Sequence, residues 1–541
     1  MPTPYEDGSP NAKILILGQA PSTAEMRMGR PLIGPSGDVL KECMAQAGIA
    51  RGECYILNVW ESQVYIDQKG DIWESRGGEL LWSSGFTPYG LALAEPCLER
   101  IRRSKCNIIV ALGQQALELC TGISKAIMKW RGSILKGGER VGEKKVVSTV
   151  HPAATIHGVY LWRYLIVSDL QKAKAEKESP LLNLPERSIY VAESLADIRD
   201  YVAECRKAGV VATDIECINH QVSCFSLSKD PSEALVIPFV DHGGDLWDEE
   251  DEVQIWLAYG GLLHDREVMK VNQNIIGFDS PFLLQQNHIH IRGLLGDTMV
   301  AQHILYPEFN KGLDFIASIH TREPYWKDEG KMWKNPEGGD YDMFWRYNGK
   351  DSCVALEAWY VLEKELKEGG FWETYKMTER LHEPLLYMSV RGLLADKQGL
   401  EETKLKLEDQ IETFETELAQ VAEWPFNPAS PAQCKKYFYE TKKITPYRNQ
   451  AGGVTTDDKA MSRIFRKTQL REAKLVQEIR ALKKLKGTYI EVELDPDGRI
   501  RCSWNPRGTW TGRLSSSQTI FGKGMNLQNL DPKFKSFVVA G

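Results

Sequence analysis

No two of the eleven cysteines form a Cys-x-x-Cys pair, so neither a zinc ribbon nor a disulfide frame is expected, and the thiols suit a reducing compartment. No apolar run approaches the roughly 20 residues needed to cross a bilayer, so no membrane partner is expected. The opening residues, Met1-Pro-Thr-Pro-Tyr-Glu-Asp7, have neither a basic start nor an apolar core, so no signal peptide is expected. Positive charge is not in excess either, since the formal net charge is −7. The chain as a whole does not attract nucleic acid, and any such contact must come from local patches. A cytoplasmic location is the expectation, meaning the host cytosol if the protein is viral. Hydrophobic content of 42% and charged content of 26% are ordinary for globular protein. A length of 541 residues allows several domains, each with its own core.

Against these absences stand four carboxylates and one phenol. Asp214-Ile-Glu216, Asn274-Ile-Ile-Gly-Phe-Asp279 and Tyr347-Asn-Gly-Lys-Asp351 occur in that order within one domain's length. Val210-Val-Ala-Thr-Asp-Ile-Glu216 reads as a strand, which turns Asp214 and Glu216 to the same face. Tyr347 and Asp351 are spaced i, i+4 and stack on one face of a helix. Asp279 follows an apolar-rich turn after the strand-like Val268-Met-Lys-Val-Asn272. Four carboxylates and a phenol are what a two-metal phosphodiesterase needs, with ions roughly 3.5–4 Å apart. Each piece alone is common, because Asp-x-Glu often decorates a solvated strand end and Tyr-x-x-x-Asp a helix surface. Together they resemble the proofreading 3′–5′ exonuclease family found within family A DNA polymerases, which has an Asp-Glu-Asp-Asp quartet and a tyrosine. The resemblance includes Val271 to Asp279, Asp297-Thr-Met299, and Tyr347 to Glu357. It implies an RNase H-like α/β domain and two divalent ions, Mg2+ or Mn2+. Asp214, Glu216 and Asp351 would hold the first ion, Asp214 and Asp279 the second, and Tyr347 would orient the attacking water.

The N-terminal third alternates short apolar runs with helical patterns. Ala12-Lys-Ile-Leu-Ile-Leu-Gly18, Cys106-Asn-Ile-Ile-Val-Ala-Leu-Gly113 and Lys145-Val-Val-Ser-Thr-Val150 read as buried strands. Helices are expected around 38–48, 92–103 and 114–121. This alternation predicts a parallel or mixed sheet covered on both faces, with ligands at the carboxyl ends of the strands. Those ends carry Gly18-Gln-Ala-Pro-Ser22, Asn58 and His151-Pro152. With Arg131-Gly132 and His151-Pro-Ala-Ala154, the pattern resembles the uracil-DNA glycosylase superfamily, closest to its iron–sulfur branch, over most of 12–176. Three departures bear on chemistry. Gln19 stands where that branch has a carboxylate, and Leu32 where it has an aromatic ring. Of the cluster cysteines only Cys97 is matched, so no iron–sulfur cluster is expected. A flipped uracil would lose stacking at Leu32. Water activation would fall to Glu25 or to a water held by Gln19, while His151 could stabilise charge on a departing base. Weak or absent uracil excision is the expectation.

Glu178-Ser-Pro-Leu-Leu-Asn-Leu-Pro-Glu-Arg187 has two prolines and no periodicity, and marks a boundary. Domains are expected at 1–178, 188–369 and 370–541, the last boundary falling near Gly369-Gly370. Beyond it the chain is mainly helical, over 399–424 and 470–489, with a hairpin-type turn at Asp495-Pro-Asp-Gly-Arg499. Arg499, Arg501, Arg507, Arg513, Lys523, Lys533 and Lys535 follow. Such a basic run suits phosphate contact, although a charged run is more often only a solvated face. Met388-Ser-Val-Arg-Gly-Leu-Leu-Ala-Asp396, Phe426 to Gln433, Lys484-Leu-Lys-Gly-Thr-Tyr489, Thr511-Gly-Arg-Leu-Ser-Ser516 and Asn526-Leu-Gln-Asn529 resemble, in order, the thumb and early palm of family A DNA polymerases. That likeness implies primer–template contact by Lys484, Arg513, Gln528 and Asn529. Phe537-Val-Val-Ala-Gly541 lines up with the strand before the family's first catalytic aspartate. On that alignment the strand lacks its neighbours, exposes apolar groups, and is expected to aggregate or to pair with a second polypeptide. The fold expected is therefore an α/β multidomain chain: a glycosylase-like sandwich, an RNase H-like exonuclease, and a helical thumb with a palm fragment. The activity expected is 3′–5′ removal of nucleotides from DNA, without polymerisation by these residues alone. The alternatives are a non-catalytic DNA-binding subunit, a uracil-removing repair enzyme, and RNA as the nuclease substrate.

Overall fold

Five-residue apolar runs become fully buried strands in the N-terminal region. The computed structural model describes residues 3–67, 71–332, 339–422 and 424–539. Strands β1 (Glu6–Asp7), β2 (Ile14–Gly18) and β3 (Cys54–Asn58) are followed by a small antiparallel sheet of β4 (Val64–Ile66), β5 (Ile72–Ser75) and β6 (Leu80–Ser83). With β7 (Ile108–Leu112), β8 (Ile134–Lys136) and β9 (Lys145–Thr149), the first three build a six-stranded sheet ordered β1-β3-β2-β7-β9-β8. Its four central strands are parallel and its edges antiparallel.

Alternation along the strands divides the core into two layers. Leu15, Leu17, Ile109 and Ala111 pack with residues of the helices Pro88–Arg103 and Gln114–Thr121. Ile14, Ile16, Ile108 and Val110 pack on the other face with the helices Pro35–Ala47 and Trp162–Glu176. Ile14 to Leu17 are each at most 1% exposed, and burial of one such side chain contributes roughly 1.5–3 kcal/mol. The alternating runs thus give the three-layer α/β sandwich expected of them.

A second sheet contains β10 (Ser188–Val191), β11 (Val210–Ile218), β12 (Gln221–Asp230) and β13 (Glu233–Pro238). A two-stranded ribbon, β14 (Val240–Asp241) and β15 (Gly244–Asp245), precedes its last strands, β16 (Met269–Asn272) and β17 (Leu295–Asp297). The order is β10-β13-β12-β11-β16-β17, with β12 antiparallel to both β11 and β13 and the other neighbours parallel. The helix Tyr341–Glu368 lies close on this sheet. Gly349 permits that approach, because a Cβ there would stand 2.6 Å from Ile189 Cγ2 and 2.9 Å from Val236 Cγ2.

The chain divides into two compact units, 1–275 with 288–379 and 276–287 with 380–541. Both large sheets fall in the first unit. Residues 179–187 run between the helix Trp162–Glu176 and β10 without helix or strand. The second unit is mainly helical, built on the helices His382–Arg391, Lys397–Val421, Asp458–Thr468 and Arg471–Leu485. Tyr437, Phe438, Ile464, Val476 and Ile479 form much of its core. Five short strands complete it: β18 (Leu393–Ala395), β19 (Arg499–Ile500), β20 (Ser503–Asn505), β21 (Ser515–Ser517) and β22 (Val538–Val539).

One expectation needs correction here. β22 does have a neighbour, because Val538 and Val539 pair antiparallel with Ala395 and Leu394 of β18. Phe537 packs beside Phe534, their ring centroids 6.3 Å apart. Ala540 and Gly541 lie outside the described residues. The pairing joins positions about 145 apart in the chain, which no local pattern can announce.

Candidate functional site

Asp214 and Glu216 lie on β11 opposite Ser226 and Cys224 of β12, just before a bulge between Glu216 and Cys217. Asp351 projects from the helix Tyr341–Glu368. Ser226 Oγ ties the helix down, donating to the Asn348 carbonyl at 3.0 Å and sharing a hydrogen bond with Ser352 Oγ at 2.7 Å. Ligand oxygens of Asp214, Glu216 and Asp351 consequently lie within 4.8 Å of one another. Three carboxylates so close repel, and hard oxygen donors of this kind fit Mg2+ or Mn2+.

Their neighbours fix the geometry. Asn348 Nδ2 donates to Asp214 Oδ2 at 2.8 Å. Trp326 Nε1 donates to Asp351 Oδ1 at 2.7 Å, and Lys327 Nζ pairs with Asp351 Oδ2 and donates to the Tyr347 hydroxyl at 2.9 Å. Burial pushes the Tyr347 phenol far up, and the charges of Asp351, Glu216 and Asp214 push the same way, so it stays protonated. Burial alone would lower Lys327, but the charge and hydrogen bond of Asp351, together with the charges of Asp214 and Glu216, raise the ammonium above its ordinary value.

Asp279 is the first residue of the helix Asp279–Gln286 and is buried. Its segment, 276–287, groups with the second compact unit, where Ser280 Oγ shares a hydrogen bond with His382 Nε2 at 2.7 Å. The structure thus brings together three of the four expected carboxylates and Tyr347. Sequence reasoning missed Trp326, Lys327 and Asn348. Asn348 lies inside the third motif, whereas Trp326 and Lys327 belong to an irregular segment without periodicity.

A second group of candidate residues lies at the carboxyl ends of β2, β3, β7 and β9. Gln19 follows β2, Asn58 ends β3, Gly113 follows β7, and His151 comes two residues after β9. A Cβ at Gly18 would collide with Asn58 Oδ1 and meet Leu32 Cδ2 at 3.2 Å, while one at Gly113 would meet Gln19 Nε2 at 2.7 Å and His151 Cβ at 3.2 Å. Gln19, Leu32, Asn58 and His151 therefore converge. Asn58 Oδ1 is buried and accepts no hydrogen bond among the described residues, so it can receive an N–H from a ligand. Gln19 is held by donating to Gln115 Oε1 at 2.5 Å. Glu25 does not suit the base role considered for it. It closes the capping box of the helix Thr23–Met28, accepting from Ser22 N, and also accepts from Ile33 N at 3.0 Å.

Burial lowers His151 to about 4 from its ordinary 6.5, so it is neutral near pH 7. Between those two pH values the unfolded chain binds a proton that the folded chain refuses. Stability should therefore fall as pH drops through that window and level off below it. Thermal melts across the window should show this component in the parent and not in His151→Asn. The same slope in both would exclude His151 as its source.

In the second unit, Lys484, Arg513, Gln528 and Asn529 are exposed. Gln528 Nε2 donates to the Leu514 carbonyl at 2.9 Å, and the Asn529 carbonyl accepts from Tyr489 OH at 2.9 Å. The basic run is only partly free for phosphates. Arg501 is paired with Asp495 and Asp497, both at 2.6 Å, and Lys523 with Glu493 at 2.8 Å.

Residues 5–161 match the profile of the Uracil DNA glycosylase superfamily, and residues 397–536 match that of DNA polymerase family A. The chain joins a glycosylase-superfamily domain to a family A polymerase domain. It is 28% identical over 399 residues to DNA polymerase I of Rhizobium leguminosarum, covering 67% of this chain and 38% of that protein. Type-4 uracil-DNA glycosylase of Thermotoga maritima is 28% identical over 171 residues, 31% of this chain and 80% of that protein. The DNA polymerase of Escherichia phage T5 is 29% identical over 214 residues, covering 37% and 24%. The chain thus spans less than two fifths of the polymerases it resembles in these comparisons. Among solved structures, the POL domain of Pol1 from M. smegmatis, in complex with DNA primer-template and dNTP, shares the fold with a TM-score of 0.51. Identity there is 19%, over 65% of this chain and 58% of that one. No helix among the described residues is long and apolar enough to cross a membrane.

The departures in the glycosylase-superfamily domain carry a prediction. Gln19 is an amide held by Gln115, Glu25 is held by backbone, and Cys97 lacks the partner cysteines of the iron–sulfur branch. Purified protein should excise uracil slowly or not at all and contain no stoichiometric iron. Alkaline cleavage of uracil-containing DNA and metal analysis check this. Rapid excision abolished by His151→Ala would overturn it.

Proposed function

We propose that this protein acts in DNA replication or repair as a metal-dependent 3′–5′ exodeoxyribonuclease, with the C-terminal unit holding primer–template. The observation that carries the reading is the convergence of Asp214, Glu216 and Asp351, on a strand and a helix far apart in sequence, to within 4.8 Å. These three residues would hold one divalent ion, and Asp279 with Asp214 a second. When bound, such ions supply Lewis-acid polarisation and neutralise charge on the phosphodiester.

The chain's own groups do the positioning. Asn348 fixes the rotamer of Asp214, and Trp326 fixes that of Asp351. Tyr347, a neutral phenol accepting from Lys327, keeps its proton to orient a water or a phosphate oxygen. Lys327 adds a cation beside the carboxylates, complementary to a DNA phosphate. Exposed Arg513, Gln528, Asn529 and Lys484 suit backbone and minor-groove contacts.

Single-stranded DNA labelled at its 5′ end should shorten to a ladder with Mg2+ or Mn2+ and stay intact with a chelator. Digestion that persists in chelator, or release of the 5′ label first, would defeat the reading. The same 541-residue chain should not extend a primer. Among its described residues the cluster of three or more metal-ligating side chains is that of Asp214, Glu216 and Asp351, in the first unit. Nucleotide incorporation by the chain alone would show that a second carboxylate site exists.

A further inference from the structure

The segment 325–328 touches two sites at once. Its inner residues serve the carboxylate cluster: Trp326 Nε1 donates to Asp351 Oδ1 at 2.7 Å, and Lys327 Nζ donates to Tyr347 OH at 2.9 Å. Its outer residues are held by the glycosylase-superfamily domain. The Tyr325 amide donates to Ser133 Oγ at 3.1 Å, and the Tyr325 ring meets Trp130 edge-on at 5.2 Å. Lys129 Nζ lies 3.2 Å from Asp328 Oδ1 and 5.4 Å from the centre of the Tyr325 ring.

The start of the segment is fixed as well. Lys172 Nζ, from the helix Trp162–Glu176, donates to the carbonyls of Ser318 and Thr321, each at 2.7 Å, and of Gly132 at 3.0 Å. Trp326 itself is buried against Leu313, Ala317, Val354 and Ala355. The Lys129–Asp328 pair is exposed, and a pair of that kind contributes little. The rings and buried hydrogen bonds hold the segment.

We infer that residues 129–133 of the glycosylase-superfamily domain, acting through the segment 325–328, position Asp351 and Tyr347 for the nuclease reaction. The inference rests on the nuclease reading above. Trp130, Ser133 and Trp326 are positioning residues: none touches substrate, and each acts through Asp351. The N-terminal domain then has a task for which uracil chemistry is not needed. An outer-shell partner of a ligand typically changes metal affinity or activity by ten- to hundredfold. A loosened segment should therefore weaken the metal site more than it weakens the grip on DNA.

Three measurements on the full-length chain test this: hydrogen exchange of 321–328, Mn2+ affinity by electron paramagnetic resonance, and nuclease rate against metal concentration. Trp130→Ala should speed exchange in 321–328, weaken Mn2+ binding roughly tenfold, and lower kcat with little change in KM for DNA. Trp326→Phe should weaken Mn2+ binding at least as much. Trp130→Phe, which keeps an edge-on ring, should restore most of the loss. Lys136→Gln, in an exposed pair with Glu143 of the same domain, should change nothing. If Trp130→Ala does not fold, Ser133→Ala is read in its place. Folded variants with parental exchange and Mn2+ affinity would overturn the inference. Mn2+ binding that needs Asp214 but accompanies no DNA cleavage would defeat the nuclease reading alone, with exchange and affinity still deciding the coupling. Absence of Mn2+ binding in the parent would overturn both.

Discussion

Asp214→Ala should reduce 3′-end digestion of single-stranded DNA by roughly 10³-fold or more, the equivalent of several kcal/mol of lost metal-centred stabilisation. The magnitude follows from position. Asp214 is the carboxylate that the proposed arrangement shares between two ions, so its loss removes a ligand from each. The fold should survive. The substitution removes a partly exposed side chain that is held in part by Asn348, and Ala212 to Ile215 keep their ladder to β12. Removing one of three crowded carboxylates also relieves repulsion, so the melting temperature of the ion-free variant should equal or exceed the parent's. Asp351→Asn should behave similarly but leave the Trp326 hydrogen bond to the retained oxygen. Parental digestion by Asp214→Ala would end the assignment. Loss of digestion together with loss of the folded circular dichroism spectrum would instead mark Asp214 as a structural residue.

What could be read from the sequence followed from how local the physical constraint was. Ile14 to Leu17 announced a buried strand because a sheet covered on both faces requires an unbroken apolar run. Asp214 and Glu216, or Tyr347 and Asp351, announced themselves because strand and helix periods place such pairs on one face. Trp326 and Lys327 carried no comparable signal, since they approach Asp351 from an irregular segment whose path is set by Lys172, Trp130 and Ser133. The pairing of β22 with β18 was equally hidden. Glu25 carries a local signal of another kind. A carboxylate three residues after Ser22 fits a capping box, and the fold uses it that way. In the second unit, composition left the basic run undecided between phosphate contact and a solvated face, because it does not show that Asp495 and Asp497 pair with Arg501 and Glu493 with Lys523.

Arg131, which entered the sequence reading only as part of the likeness to the glycosylase superfamily, carries the other large expected effect. Its guanidinium and the Asp169 carboxylate are both 0% exposed, with Nη2 to Oδ1 at 2.6 Å and Nε to Oδ2 at 3.2 Å. Nη1 also donates to Ser318 Oγ at 2.9 Å, on the helix Leu313–His320, whose Leu313 and Ala317 pack with Trp326. Arg131→Met should cost about 3–5 kcal/mol, because it leaves Asp169 buried without its partner. Lys172 cannot replace the lost charge without giving up three backbone carbonyls. The double substitution Arg131→Met with Asp169→Leu should recover most of the loss, since an apolar pair of similar volume has no charge to desolvate. Urea unfolding of the parent and the two variants checks this. Because the pair and Ser318 join the glycosylase-superfamily domain to the region of the carboxylate cluster, Arg131→Met should also separate their unfolding into two transitions. A single-variant loss below about 1 kcal/mol, or a double variant no better than the single, would show that the pair does not hold the two regions together.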